Sequence, residues 1–379
     1  MGTRVVVSGV GTINAIGCDT TQYWNGILAG TSGISTKMFD DVKRSFKVGN
    51  VKEFVPPIQE ESLFVNYLIH SISEALDNSK VENSELPEVP LFIGTALGNI
   101  GQIETQLIRF NNDQFSAYNI AESTDYLKEH FGFKKDAFIV SSTCTSSMNA
   151  LGMAYLAIKG GMCDKAVVAG CETLSSHILT GIRSSRGMAL DSMKPFDVAR
   201  SGMLLGEGAG ALVIETLESA KKRNAYIYAE IGGYKSYSEA YHLMVPDLTG
   251  EKIYEALDYD VSQISDATLL VSANGTKYND EAIYNGIFKK YDKNHPIVAD
   301  IKAIIGHTLG ASGIVEGIAA IKALETQTAL SLYGVDNAMD GLKYLKTPQN
   351  MELNNIIHVS TSFGGNVASI HYKTFNPAC

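Results

Sequence analysis

The residue with the clearest chemical potential is Cys144, where the apolar, β-branched run Phe138-Ile139-Val140 gives way to Ser141-Ser142-Thr143-Cys144-Thr145-Ser146-Ser147. Met148 to Lys159 then follow with apolar residues at helical spacing. The change of period predicts a strand-to-helix turn with the cysteine at the helix start. Free amides and the dipole of a helix start favour a thiolate, and small neighbours leave room for a substrate to reach sulfur. The same amides stabilise an oxyanion on an acyl group carried there. Free cysteines are commonly inert core residues, and Cys163 and Cys171 keep that reading.

A nucleophilic thiol needs polar partners, and three downstream segments offer them in strand-to-turn settings. One is Val271-Ser272-Ala273-Asn274-Gly275-Thr276-Lys277-Tyr278-Asn279-Asp280. A second carries Lys302, Gly306-His307, Gly310-Ala311, Gly313 and Glu316, and a third is Ser360-Thr361-Ser362-Phe363-Gly364-Gly365-Asn366. No pattern recruits His70, His130, His177, His242, His295, His358 or His371, so surface or structural roles are the default for them. Lys221-Lys222-Arg223 reads as a solvated helix end.

Elements that could position these groups come from an α/β alternation. Val5–Val7, Pro90–Ile93, Ala137–Val140, Ala166–Ala169, Ala211–Ile214, Thr268–Val271, Pro296–Val298 and Ile356–Val359 read as strands separated by helical patterns. Continuous apolar runs such as Lys165–Ala169 and Ala267–Val271 suit strands buried on both faces. A weak repeat relates Phe138–Lys159 to Ile297–Lys322, each a strand, a small-residue turn and a helix. With 379 residues, 45% hydrophobic and 19% charged, two packed halves are expected, meeting loosely near Glu230–Ala256. We divide them at 1–240 and 241–379.

The five cysteines are odd in number and form no C-x-x-C, which argues against a disulfide framework or a zinc site. The start, MGTRVVVSGVG, runs into a strand-like stretch unlike a secretory signal, Val6 stands where myristoylation wants Ser or Thr, and no membrane span is evident. A reduced, cytoplasmic protein is expected. The net charge of −10 disfavours nonspecific nucleic-acid binding.

These residues together resemble the β-ketoacyl synthase family. Lys302…Gly306-His307…Gly310-Ala311-x-Gly313…Glu316 resembles the K-x-x-x-G-H-x-x-G-A-x-G-x-x-E motif of its elongating members. Pro195-Phe196-Asp197…Arg200…Gly202…Gly206-Glu207-Gly208-Ala209-Gly210 looks like its central signature. Ser362-Phe363-Gly364-Gly365 resembles its C-terminal glycine loop, and VSGVG its first strand and turn. The resemblance spans essentially the whole chain and implies the thiolase-like fold: two similar α/β halves in an α-β-α-β-α layered sandwich, usually dimeric.

The resemblance further implies that Cys144 is the acyl-accepting nucleophile, activated mainly by the helix dipole, with its N–H and that of Phe363 forming the oxyanion hole. His307 would hydrogen-bond a malonyl thioester, Lys302 and Glu316 would organise the site, Phe363 would gate it, and Thr276 would contact a pantetheine arm. The implied reaction condenses an acyl group with malonyl carried by acyl carrier protein, without metal or redox cofactor, and the enzyme is a homodimer or a heterodimer with another ketosynthase subunit.

The chain departs from the family at Asn274, where H-G-T-x-T has histidine, and at Tyr278, which replaces the second threonine. An Asn can still donate to an enolate oxygen, whereas a step needing an ionisable group at 274 is unavailable. A bulky Tyr278 would narrow the tunnel. Asn366 follows the glycines directly, Ser201 replaces a common acidic residue, and Glu61–Tyr67 lacks the basic residues often used for carrier docking. Two other readings stand beside the synthase: a noncatalytic chain-length-factor-like subunit, and a thiolase-type enzyme acting on coenzyme A. Retention of Cys144, Lys302, His307 and Glu316 favours the synthase.

Overall fold

The computed structural model describes residues 2–101, 103–104, 120–260 and 267–376. Its framework is a ten-stranded sheet, joined at its midline by antiparallel pairing of β1 (Val5–Asn14) with β8 (Ala229–Ser238). On one side of that midline lie β7 (Gly208–Thr216), β6 (Lys165–Glu172), β4 (Leu91–Gly94) and β5 (Ala137–Val140). On the other lie β14 (Asn366–Lys373), β13 (Asn355–Thr361), β9 (Ala267–Val271) and β10 (Ile297–Ala299). Two small ribbons stand apart, β2 (Ile34–Phe39) with β3 (Arg44–Gly49) and β11 (Thr328–Ala329) with β12 (Gln349–Asn350).

The two sides have one topology. Reading outward from the midline, each presents its first, fifth, fourth, second and third main strand in chain order. In each, the first three of these are antiparallel neighbours and the outer three are parallel. The repeat noticed in the sequence falls on equivalent positions, third strand to following helix, in both halves.

Helices complete the layers: α1 (Thr20–Ala29), α2 (Leu63–Ser79), α3 (Ile120–Phe131), α4 (Ser146–Lys159), α5 (Ser176–Ser184), α6 (Leu217–Lys222), α7 (Glu251–Ala256), α8 (Lys277–Tyr291), α9 (Lys302–Ile305) and α10 (Ser312–Thr326). The middle layer is α4 and α10, which touch each other. Helix α4 packs on β4 and β6 of its own side and reaches β8 and β14 of the other, while α10 packs on β13 and reaches β7. Outside them, α2 covers β1, β7 and β6, and α7 covers β8 and β14 with α8 upon it. This is the expected α-β-α-β-α sandwich of a thiolase-like fold.

Why the layers form is visible in the strands. Every residue of β6 and β9 is buried, as continuous apolar runs between two helix layers require. Two glycines set the closeness of the central layer: a Cβ on Gly152 would lie 2.2 Å from the Tyr234 ring, and one on Gly313 would lie 2.4 Å from the Met148 nitrogen.

All eight expected strands form. Beyond them, the structure places β8 and α7 across Glu230–Ala256, where the halves were expected to meet; the Tyr, Gly and Ser residues of β8 lie in a half-exposed strand, which masks an apolar pattern. In the sheet order β8 lies between β1 and β14.

Candidate active site

The cysteine elbow folds as expected, with a detail that composition hid. A single 3-10 turn, Thr143–Thr145, links β5 to α4, and its Thr143 has φ +54°, unusual for a β-branched residue. The small polar residues satisfy this tight backbone. Ser146 Oγ donates to the Thr143 carbonyl (2.6 Å) and accepts from Ser142 N–H (3.0 Å), while Thr145 Oγ1 donates to the Ser142 carbonyl (2.8 Å).

Cys144 is only 8% exposed, and its sulfur lies 3.2 Å from His307 Nε2. His307 follows Gly306, where a φ of +80° and the 2.7 Å at which a Cβ would stand from the Leu205 carbonyl oxygen exclude a side chain. Its Nδ1 lies 3.1 Å from Ser312 Oγ, which lies 3.2 Å from Thr308 Oγ1. A hydroxyl can donate or accept, so Ser312 satisfies either imidazole tautomer. Nε2 is thereby able to take a proton from sulfur or to offer one to an oxygen.

Burial works against the expected activation. Burial pushes the Cys144 thiol up to about 12, a rise opposed chiefly by Lys302 and reinforced by Glu172 and Glu316. Burial, together with Lys302, drives His307 down to about 3. The resting pair is therefore thiol and neutral imidazole rather than a thiolate held by the helix dipole.

Asn274 is oriented by its own turn. Thr276 N–H, which can only donate, meets Asn274 Oδ1 at 3.0 Å, so the atom there is the carbonyl oxygen. Thr276 Oγ1 donates to the same oxygen at 2.7 Å. Among the described residues no acceptor takes the Nδ2 hydrogens, and Asn274 lines the cavity above Cys144. The turn is anchored by Asp280, a buried carboxylate accepting from the N–H groups of Asn274 (3.0 Å), Gly275 (3.2 Å) and Phe196 (2.8 Å). Burial outweighs those bonds and lifts Asp280 to about 6.

Lys302 and Glu316 meet beneath the site. Lys302, fully buried, places Nζ 2.5 Å from Glu316 Oε1 and donates to Ser272 Oγ at 2.8 Å. Glu316 Oε2 accepts from Ser272 Oγ (3.2 Å) and lies 3.3 Å from His358 Nε2. Burial alone would raise Glu316; Lys302, then His358, outweigh it and hold it near 2. Asp300 Oδ2 stands 3.8 Å from Nζ, its carboxyl driven upward by burial.

The Phe363 loop closes the cavity. Gly364 and Gly365 take φ of +86° and +74°, and the Phe363 carbonyl accepts from Thr143 Oγ1 at 3.0 Å. Among the described residues the Phe363 N–H has no acceptor. Cys144, Asn274, Thr276, His307 and Phe363 line one cavity of about 460 Å³, with Tyr278, 57% exposed, at its mouth. Lys302 and Glu316 do not line it.

Several participants escaped the sequence reading. His242 lines the same cavity, and His358 belongs to the buried ion cluster. Arg223 is no solvated end: it pairs with Glu215 and donates to the Ser79 carbonyl at 2.7 Å. Ser312 lay inside the glycine-spaced segment, and Asp280 four residues past Thr276, where a first-turn acid was available to be noticed. Glu172 closes β6 and accepts from Thr95 Oγ1 (2.9 Å) and Leu97 N–H (3.3 Å); burial lifts it to about 7.

A duplicated sandwich with a thiol, an imidazole and a carboxamide converging on one cavity defines a thiolase-like acyl-transfer architecture. The β-ketoacyl synthase N-terminal domain profile matches residues 2–220 and the C-terminal domain profile residues 228–335. The chain belongs to the β-ketoacyl synthase family. It is 28% identical to 3-oxoacyl-[acyl-carrier-protein] synthase 2 of Vibrio cholerae, over 98% of this chain and 99% of that one. With the Staphylococcus aureus (strain COL) synthase 2 it shares 27%, over 98% of each. Its fold matches the ishigamide ketosynthase/chain length factor (TM-score 0.91, 24% identity, 99% of this chain and 100% of that one). It also matches a type II polyketide acyl carrier protein complex with its ketosynthase (TM-score 0.90, 20% identity, 99% and 100%).

Proposed function

We propose that the chain is a β-ketoacyl synthase that performs decarboxylative Claisen condensation of an acyl group on Cys144 with malonyl-acyl carrier protein, in fatty acid or type II polyketide or polyene synthesis. The observation carrying this reading is the convergence of Cys144 Sγ, His307 Nε2 at 3.2 Å and Asn274 on one cavity. Cys144 takes the acyl chain from a pantetheine thiol as its proton passes by way of His307 Nε2 to the departing sulfur. The N–H groups of Cys144 and Phe363 hold the oxyanion, and Phe363 gates the cavity.

Malonyl then binds and loses carbon dioxide. The electron pair left behind becomes an enolate, held by Asn274 Nδ2–H and His307 Nε2–H, whose carbon attacks the thioester. The carbon–sulfur bond to Cys144 breaks, and the thiolate takes up a proton from solvent by way of His307 Nε2. The chain is thus an atypical elongating synthase, with a neutral carboxamide where a histidine is usual. Lys302 and Glu316 act from beneath as positioning residues, and Thr276 lies on the path of the pantetheine arm.

Carrier docking finds its support at the cavity mouth, where Arg186 and Lys277 are exposed beside Tyr278 and suit an acidic partner. Dimerisation, with a second copy or another ketosynthase subunit, finds its support at the edge strand β5, beside exposed Phe138, Met153, Leu156 and Met162. The two halves are taken to meet near the expected 240/241 boundary, the strand order favouring a point just before β8, and the cytoplasm is the fitting compartment for the four free cysteines among the described residues.

Intact-mass detection of acyl-Cys144 and of condensed product, with purified protein, acyl carrier and malonyl carrier, tests the proposal. Both species are expected. Activity seen only with a coexpressed ketosynthase would instead assign a chain-length-factor-like subunit, for which Asn274 and Tyr278 speak.

A further inference from the structure

One residue beside the nucleophile has no role in that scheme. Thr143 precedes Cys144, is β-branched, and holds φ at +54°, a conformation that strains such a residue. Its hydroxyl crosses to the second half of the molecule and donates to the Phe363 carbonyl at 3.0 Å, a contact between residues 220 apart in sequence. The same peptide unit is held from its other edge, where Gly364 N–H donates to the Leu243 carbonyl at 2.8 Å. The space beside Gly364 is open, since a Cβ there would meet no atom within 4 Å; the rest of the turn is held by Gly365 N–H donating to the Ser362 carbonyl at 3.1 Å and Ser362 N–H donating to the Asn366 carbonyl at 2.9 Å. The 363–364 peptide plane is thus set by two hydrogen bonds, and one of them comes from the cysteine's own neighbour.

We infer that Thr143 is a positioning residue for acyl transfer: its hydroxyl latches the Phe363 loop over Cys144 through the 363–364 peptide, one Cα away from the 362–363 peptide that carries the Phe363 N–H. The inference rests on the acyl-transfer reading for its catalytic consequence, but the latch itself is a property of the loop. Thr143 is exposed, and its hydroxyl reaches the Phe363 carbonyl from outside the residues that line the cavity. Because latch and nucleophile are consecutive residues, the oxyanion donors are kept in register with sulfur. Opening the loop to admit a chain breaks this bond; closing it after acylation restores it.

The test separates the latch from the reaction. Alkylation of Cys144 by iodoacetamide, followed by intact mass, reads loop opening without any carrier protein. Thr143→Val, which keeps the shape and loses the donor, is expected to alkylate about fivefold faster than the parent, as the loss of one hydrogen bond implies. Thr143→Ser, which keeps the donor, is expected to stay at the parent rate. In condensation assays Thr143→Val is expected to lose about tenfold in kcat with little change in KM, because a displaced oxyanion donor acts in the transition state, with Thr143→Ser rescuing it. Unchanged or slower alkylation of Thr143→Val, or equal acceleration in both variants, overturns the latch. Thr143→Ala gives the same comparison if valine unfolds the elbow. A parent protein that never acylates, alongside the expected alkylation series, overturns the synthase reading and leaves the latch standing.

Discussion

At the scale of single residues, the site runs on neutral groups. His307 stays unprotonated down to about 3, and Asn274 cannot titrate. The rate of condensation is therefore expected to show no acid limb from His307 between pH 5 and 8, so that any slope in the kcat profile over that range falls to Asp280 and Glu172, lifted to about 6 and about 7, and moves in Asp280→Asn. Asn274 has the second hydrogen-bond donor. Asn274→Ala is expected to lower condensation by about 10²-fold while leaving acylation of Cys144 close to normal, as the loss of one preorganised donor implies. Single-turnover acylation and full turnover, measured on the same variant, separate the two steps.

Thr276 works on Asn274 by holding its carboxamide oxygen at 3.0 and 2.7 Å. Thr276→Val keeps the backbone bond and loses the hydroxyl one, so a smaller loss, about tenfold in kcat, is expected in the same assay.

Among these residues, the sequence made Cys144, His307, Asn274 and Phe363 legible because each sits at a turn after an apolar run, with glycines marking the special backbone. It did not reveal which state the thiol rests in. Helix position argues for thiolate, whereas the pull of burial depends on packing that only the folded layers supply. Ser312, Asp280 and Thr143 were hidden for another reason: their importance lies in what they touch across the fold, as with Thr143 and a carbonyl 220 residues away.

At the scale of elements, the middle layer sets the site's tolerance. Cys144 and His307 are carried on the turns leading into α4 and α10, so any change in the spacing of those helices moves the 3.2 Å contact. Gly152→Ala offers the cleanest probe. Alanine favours a helix by up to about 1 kcal/mol over glycine, yet its Cβ would stand 2.2 Å from the Tyr234 ring. Overlap wins: a net destabilisation of about 1 to 3 kcal/mol is expected in urea unfolding. The main strands of both edges were legible from apolar runs, while β8 and β14 were not. β8 is half exposed, and β14 mixes Ser, His and Tyr with its apolar residues, so neither shows a continuous run.

At the scale of the whole molecule, buried histidines tie stability to pH. His307 binds its proton near 3 when folded and near 6.5 when unfolded. The unfolded chain therefore holds more protons between those values, and the stability contributed by this site, full above about 6.5, is lost as pH falls toward 3. Comparing thermal unfolding of the parent with His307→Gln between pH 6.5 and 4, the parent is expected to lose up to about 1.4 kcal/mol more per pH unit. Asp280 and Glu172, lifted to about 6 and about 7, act in the opposite sense, so the comparison of the two proteins isolates the histidine.

The matching strand orders on the two sides of the midline bear on how such a site could arise. The turn bearing Cys144 follows the third main strand of one half and leads into α4; the turn bearing His307 follows the third main strand of the other and leads toward α10. Nucleophile and imidazole hold the same address in two copies of one unit. In a symmetric pair of separate chains that address would confront its own twin, thiol against thiol or imidazole against imidazole. Only when both copies are written into a single gene can the two addresses mutate apart, and the chemistry here depends on that broken symmetry.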